Sequence, residues 1–513
     1  MLIAGLAGFI ALGFEIEWFR VLALGSADRA PAFALLLSTY LCGIAAGSYA
    51  TEKLTEEKRP DVVIHTIGLM LLGAGALSAY LPPLVAQLSW KNYALMASAP
   101  AFFLVAGLLG SVLPLLCRLS VSADTESGRH VSLIYVANIV GSTLGSLVIG
   151  FILMDLFGLK QISMQLALLA ALTGTLVLWF SSGRVQMPSR WRLAGVPVAL
   201  AAILFSSPLY FNLFGKLIFG RNAARVGYFK HVVENRNGVI AVTPYGAVMG
   251  GGVYDGYFNV DPLHDRNLIV RAYALGLFDP TPKKTLMIGL SSGSWAQVAV
   301  NHPQIESMDI VEINPGYLQL IEQYAMVSSL LRNPKVRIYV DDGRRWLLAH
   351  PDARYDLVLM NTSFHWRDHM SNLLSTDFLR IVQAHLNPGG ILYYNATGST
   401  DVMVTGLHVF RYGIRVMNFL AVSDSPFPVD KERWLQGLRD YRIDGQLMFD
   451  PQNPRTAPTL AAYAALADTL HGPPLDRGLE AGDTMAVRIG AHHIITDDNM
   501  GAEWTQVNGA DWR

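Results

Sequence analysis

Apolar and polar positions change rhythm once along this chain, near residue 228. Before it, long apolar runs recur with short polar breaks: about Leu2 to Leu24, Pro31 to Ala50, Val62 to Leu81, Ala94 to Cys117, Ser132 to Leu156, Ile162 to Phe180 and Leu193 to Phe211. A helix of about 20 such residues crosses the hydrocarbon core of a bilayer, so the pattern predicts a transmembrane bundle. The first run lacks a basic leader and is followed by others, so it is read as a span and not as a cleaved signal. Gly107, Gly110, Pro114 and Pro197 lie inside these runs, where membrane bundles tolerate them. Ala137, Gly141 and Gly145 share one helical face and predict close contact with a neighbouring helix. Glu15, Glu17 and Arg20 interrupt the first run, marking a buried pair, a cavity or a helix end.

After residue 228 the runs shorten and alternate. The segments "HVVENRNGVIAVTPYG" and "GGVYDGYFNV" predict β-hairpins turning at Asn-Gly and Tyr-Gly. Then apolar strands alternate with amphipathic helices: "KKTLMIGL" before "SWAQVAVNH", "SMDIVEIN" before "PGYLQLIEQYA", "VRIYVDD" before "GRRWLLAH". "YDLVLMN" precedes "LSTDFLRIVQAHL", and "GGILYYNAT" closes the series. This alternation predicts a Rossmann-like parallel sheet covered on both faces, with ligands at the carboxyl ends of the strands.

Composition agrees with a membrane half: 52% of the 513 residues are hydrophobic and 15% are charged. A formal net charge of -1 and no run of Lys or Arg argue against a nucleic-acid partner. Cys42 and Cys117, the two cysteines, fall in apolar runs and form no disulfide framework or cysteine zinc site.

The strand ends carry the candidate chemistry. "GLSSGS", Gly289 to Ser294, gives a turn of small residues at which a ligand can approach the backbone. Glu312 ends the next strand about twenty residues on, where nucleotide-binding α/β sheets hold a ribose. Asp341 and Asp342 end the third and face either an adenine or the next helix as a cap. This order predicts an adenosyl ligand without a phosphate-binding loop. His365 and His369 are four residues apart in "FHWRDH", but no third ligand accompanies them, so no metal is expected. The fourth strand ends in Asn361, where a carboxylate would suit catalysis.

Together these segments resemble the spermidine synthases, or polyamine aminopropyltransferases, in their bacterial membrane-fused form. The resemblance rests on "VYDGYFN", "IGLSSGS", "VEINP", "VDDGRRWL", "YDLVLMN", "NLLSTDFLRIVQAHLNPGGIL" and "IITDDNMGAEW", with "GFEIEWFRVLALGS" and "ANIVGSTLGSLVIGFILMDLFG" in the apolar half. It implies S-adenosylmethionine or its decarboxylated form as co-substrate and a small-molecule acceptor such as a polyamine or another amine. Cofactor-binding roles are implied for Asn259 near the sulfonium, Gly289, Ser292 and Gly293 in the turn, Glu312 on the ribose, and Asp341 and Asp342 at the adenine. In this chain Ser292 and Asn361 stand where the family carries Asp. Spermidine synthesis is therefore expected to be weak, with Asn361, Asp368 and His365 as the catalytic candidates and Asp368 favoured over His365 and His369 as base. Methyl transfer, lyase or cyclase chemistry, and a non-catalytic nucleoside-binding sensor or transporter remain the alternatives.

The expected organisation is a bundle over residues 1–212, a linker and hairpin region over 213–280, the Rossmann-like domain over 281–426 and a C-terminal extension over 427–513 packed on it. Basic residues follow the second, fourth and sixth runs (Lys53, Lys58, Arg59; Arg118, Arg129; Arg184, Arg190, Arg192), which places those loops in the cytoplasm. A cytosolic donor demands a cytoplasmic C-terminal half at a bacterial-type inner membrane. The seventh run, with Pro197 and Pro208, is then read as interfacial. Self-association into a homo-oligomer is left open.

Overall fold

A computed structural model of the chain describes residues 1–55, 59–89, 94–120, 127–181, 207–278, 281–362, 364–490 and 492–504. They fall into two compact units, Met1–Val239 and Ile240–Arg513.

In the first unit the early apolar runs form helices: α1 (Leu2–Gly25), α2 (Ala30–Thr55), α3 (Pro60–Ser78), α4 (Leu81–Leu88), α5 (Ala94–Gly110), α6 (Val112–Ser120), α7 (Ser127–Val148) and the helix Leu159–Ser181. Six helical segments are long and apolar enough to cross a membrane, and they coincide with the first six runs. Residues 193–206 of the seventh run lie outside the described residues.

Small residues set the helix spacing. A methyl group added at Gly141 of α7 would stand 1.9 Å from the Gly5 carbonyl oxygen of α1, and one at Gly145 2.4 Å from that of Phe9. Only hydrogen fits there, so the predicted Ala137, Gly141, Gly145 face is a contact face. The same holds between α2 and α5, where a Cβ at Gly47 would meet the Gly107 carbonyl oxygen at 1.9 Å.

Arg20 lies within α1, five residues before its end, and its guanidinium donates to the Arg236 carbonyl at 2.9 Å. Beside it, the strand β1 (His231–Asn235) is tied down by Glu234, whose carboxylate accepts from the Leu159 N–H at 2.7 Å. Asp155 accepts from the Arg236 N–H at 2.8 Å.

The second unit opens with three antiparallel strands, β2 (Gly238–Val242), β3 (Ala247–Gly250) and β4 (Val253–Tyr257). The main sheet follows: β5 (Lys284–Ile288), β6 (Ser307–Glu312), β7 (Val336–Val340), β8 (Tyr355–Met360), β9 (Leu386–Asn395), β10 (Tyr412–Val416) and β11 (Phe419–Ser423). A strand at Leu479–Ala481 completes it, in the spatial order Leu479–Ala481, β10, β11, β9, β8, β5, β6, β7.

Strands β5 to β9 are parallel as predicted. The purely parallel expectation needs correction, because β11 runs antiparallel to β9, β10 to β11, and Leu479–Ala481 to β10. The sheet is mixed: a tight turn at Met417–Asn418 joins β10 to β11, and a tight turn cannot connect parallel strands.

Leu286, Ile288, Val311, Val358, Met360, Leu392 and Tyr394 of the strands pack with Phe378, Leu379 and Val382 of the helix Thr376–Ala384. Both faces of the central strands are covered, which is why their sequences read as continuous apolar runs.

Candidate active site

The chain runs outward from β5 to β6 and β7, then returns to the other side of β5 as β8. The reversal lies between β5 and β8, and a crevice at such a switch point is the usual ligand site of an open α/β sheet. Gly289 and Asn361 face each other there. The Asn361 N–H donates to the Ile288 carbonyl at 3.2 Å, and a Cβ at Gly289 would lie 3.1 Å from the Asn361 carbonyl oxygen. Gly289 has φ +83° and Gly293 φ +74°, backbone that glycine adopts without strain.

Glu312 is buried at the carboxyl end of β6, its oxygens accepting the Leu290 N–H at 2.7 Å and the Asn314 N–H at 2.8 Å. Burial pushes its carboxyl up to about 7, against the pull of those two N–H groups. A carboxylate in this state is oriented by backbone, so a bound hydroxyl meets an acceptor that does not need to reorganise.

Two residues not anticipated from the sequence join Glu312. Asp255 of β4 accepts a short hydrogen bond from the Tyr317 hydroxyl, and Asp255 also raises the Glu312 pKa by its charge. Tyr317 follows β6 in the helix Gly316–Ile321 and is itself held far above the ordinary tyrosine range by burial and by Asp255 and Glu312. Both lie in segments of family resemblance, "VYDGYFN" and "VEINP" with the next two residues, but a hydrogen bond over 62 positions leaves no periodic signal.

The turn after β5 is sewn to the end of β4. Ser291 Oγ donates to the Asp255 carbonyl at 2.7 Å, and Ser292 Oγ to that of Tyr257 at 2.9 Å. Ser292 therefore offers neither a charge nor an uncommitted proton. The Asn259 side chain is turned into its own loop: Oδ1 accepts from the Asp261 N–H at 3.0 Å, and Nδ2 donates to the His264 carbonyl at 3.3 Å.

At the third strand end, Asp342 is the N-cap of the helix Gly343–Ala349 through the Arg345 N–H at 2.8 Å. Asp341 holds the Arg345 guanidinium, with Nε at 2.6 Å.

Beyond Asn361, His365 Nδ1 meets Thr397 Oγ1 at 2.6 Å, and burial lowers its imidazole to about 4. It is neutral near pH 7. Asp368 lies 3.5 Å from His369 Nε2. The buried Glu503 accepts the His369 N–H at 3.1 Å and the Ser371 N–H at 2.7 Å, fixing this loop from the "IITDDNMGAEW" segment. No group of three or more His, Cys, Asp or Glu able to hold a metal occurs among the described residues.

Residues 272–408, which contain β5 to β9 and all these strand ends, match the model of the spermine/spermidine synthase domain. The chain carries a spermidine synthase-like domain. It is 25% identical over 455 residues to polyamine aminopropyltransferase 2 of Streptomyces coelicolor, covering 82% of this chain and 78% of that relative. To the polyamine aminopropyltransferase of Mycobacterium tuberculosis it is 23% identical over 414 residues, 77% of each. A solved spermidine synthase in complex with the transition-state analogue AdoDATO overlaps 46% of this chain and 85% of its own, with a TM-score of 0.36 and 13% identity. The relatives' names run against the expectation that spermidine synthesis is weak, and that expectation is not borne out.

Proposed function

We propose that this protein is an integral membrane aminopropyltransferase. It takes the aminopropyl group of decarboxylated S-adenosylmethionine, bound at the β5–β8 switch point of a cytoplasmic C-terminal unit, to an amine acceptor of the polyamine class. The observation that carries this reading is Glu312: a buried carboxylate, oriented by two backbone N–H groups, at the second strand end inside the matched domain. Its role is to accept the ribose hydroxyls, with Gly289, Ser292 and Gly293 beneath the ligand, Asp341 and Asp342 toward the adenine and Asn259 shaping the loop by the sulfonium.

The attacking nitrogen must be unprotonated, and an alkylamine has a pKa near the lysine value of about 10.4. Asn361 can accept a hydrogen bond from that amine but cannot take its proton. Asp368 is assigned the proton, and His365, neutral and anchored on Thr397, lines the path. Most of the rate is assigned to holding amine and sulfonium in line.

If the six candidate spans found among the described residues all cross, the chain leaves the sixth on the side of the basic loops after the second, fourth and sixth runs. With the seventh run taken as interfacial, that supports a cytoplasmic C-terminal unit.

The uncharged Ser292 and Asn361 favour one rival, use of full S-adenosylmethionine in methyl transfer or in a lyase or cyclase reaction. Purified protein in detergent is supplied with each donor, with and without putrescine, and methylthioadenosine and product masses are measured. Spermidine and methylthioadenosine in equal amounts are expected from the decarboxylated donor. Methylated product or acceptor-independent cleavage would establish the rival, and binding without turnover of either donor would reduce the domain to a sensor.

A further inference from the structure

The N-terminal unit holds an acidic site that the transfer reaction does not use. Glu17 is wholly buried in α1, about one helical turn before Arg20. Ser163 stands beside it, yet neither carboxyl oxygen has a partner of full hydrogen-bond geometry, and it forms no ion pair among the described residues. A buried carboxyl without donors is costly.

Its neighbours Ser163 and Tyr210 carry hydroxyl oxygens that can accept as well as donate. The Tyr210 hydroxyl lies 2.9 Å from the Ala79 carbonyl and 2.7 Å from Ser163 Oγ, and one phenol proton can serve only one of them. When it goes to Ala79, Ser163 donates to Tyr210 and keeps its lone pairs for something else. Ser78, next to Ala79, is fully buried with its hydroxyl unpartnered. A buried carboxylate and hydroxyl lone pairs lack the same thing, a compact donor with positive charge. Too few anionic or imidazole groups converge for a metal ion. A primary ammonium fits: three N–H donors and one charge.

We propose that Glu17, Ser163 and Tyr210 form a binding site for a primary alkylammonium group inside the helical bundle, distinct from the adenosyl site. It stands whether or not the C-terminal unit transfers an aminopropyl group.

The test uses the full chain in lipid nanodiscs and radiolabelled butylamine, which carries a single ammonium. Wild-type protein is expected to bind one equivalent. Glu17→Gln keeps the shape, removes the charge, and is expected to weaken butylamine binding more than tenfold while methylthioadenosine binding at the strand ends stays within twofold. Ser163→Ala and Tyr210→Phe are expected to weaken butylamine binding three- to tenfold. No butylamine binding by the wild type, or wild-type affinity in Glu17→Gln, overturns the site and leaves a protonated carboxyl bonded to Ser163. If Glu17→Gln also loses methylthioadenosine binding, the other two variants decide: unchanged butylamine affinity in both overturns the proposal.

Discussion

The two units treat a buried carboxylate in opposite ways. In the C-terminal unit each one is met by donors: Glu312 by two backbone N–H groups, Glu503 by the His369 and Ser371 N–H groups, and Glu480 by Arg415 Nε and Arg488 Nε, each at 2.7 Å. In the N-terminal unit Glu17 has none of full geometry, and the Tyr40 and Ser78 hydroxyls and the Trp18 Nε1 donor are buried without partners too. A matched carboxylate fixes a fold or presents a preset acceptor. An unmatched one raises the cost of the fold unless something else supplies the donors. The units also differ in what sets their packing: interlocked apolar side chains around the sheet, and backbone pressed on backbone at glycines between the helices.

The sharpest break of this comparison is at Glu480. Against burial, which raises its pKa, Arg488 and Arg415 hold this carboxyl below its ordinary value. Arg415→Met leaves that charge in the sheet with one exposed partner and should lower stability by about 3–5 kcal/mol. Urea unfolding of the purified protein measures this, and a loss under 1 kcal/mol would mean Arg488 alone suffices.

For the helices, Gly141→Ala forces a methyl group against the Gly5 backbone, and we expect a loss of about 1–3 kcal/mol. A Cβ at Gly150 meets nothing within 4 Å, so Gly150→Ala should stay within about 0.5 kcal/mol. Equal thermal stability of the two variants would remove the backbone-contact account of the bundle. Glu312→Ala, measured by calorimetry with methylthioadenosine, should weaken binding by about 1–3 kcal/mol, the usual loss when a charged hydrogen-bond partner is removed. Unchanged affinity would detach Glu312 from the ligand.

What was legible in the sequence follows from periodicity. The span pattern, the β–α alternation and the Ala137, Gly141, Gly145 face each repeat along one element, so a linear reading finds them. Glu312 was legible because strand ends carry a known order of roles. The antiparallel strands β10, β11 and Leu479–Ala481 were missed because strand direction depends on where the chain re-enters the sheet, which local pattern does not encode. Asp255 and Tyr317 were missed as a pair for the same reason: their contact is made by tertiary packing. The capping side of Asp342 was visible as an alternative, and its carboxylate takes the Arg345 N–H.

The last effect sharpens the comparison most, because it has opposite signs on folding and on binding. The Glu312 carboxyl is raised from 4.5 to about 7 by burial. A raised carboxyl favours the protonated folded state, so its contribution to stability is full below about 4.5 and is lost as pH rises toward 7. Ligand binding runs the other way, since ribose hydroxyls donate and need the ionised acceptor. Between roughly pH 5 and 7, methylthioadenosine affinity should therefore rise toward tenfold per pH unit, the equivalent of about 1.4 kcal/mol, and level off above 7. Over the same window the melting temperature of the ligand-free protein should fall. Glu312→Gln, which cannot titrate, should bind weakly with a flat pH profile and lose that drift in melting temperature. Calorimetry and thermal unfolding across the window read both slopes on one preparation. A flat wild-type affinity profile would mean that the ligand does not meet this carboxylate. A rising profile retained in Glu312→Gln would assign the titration to another group.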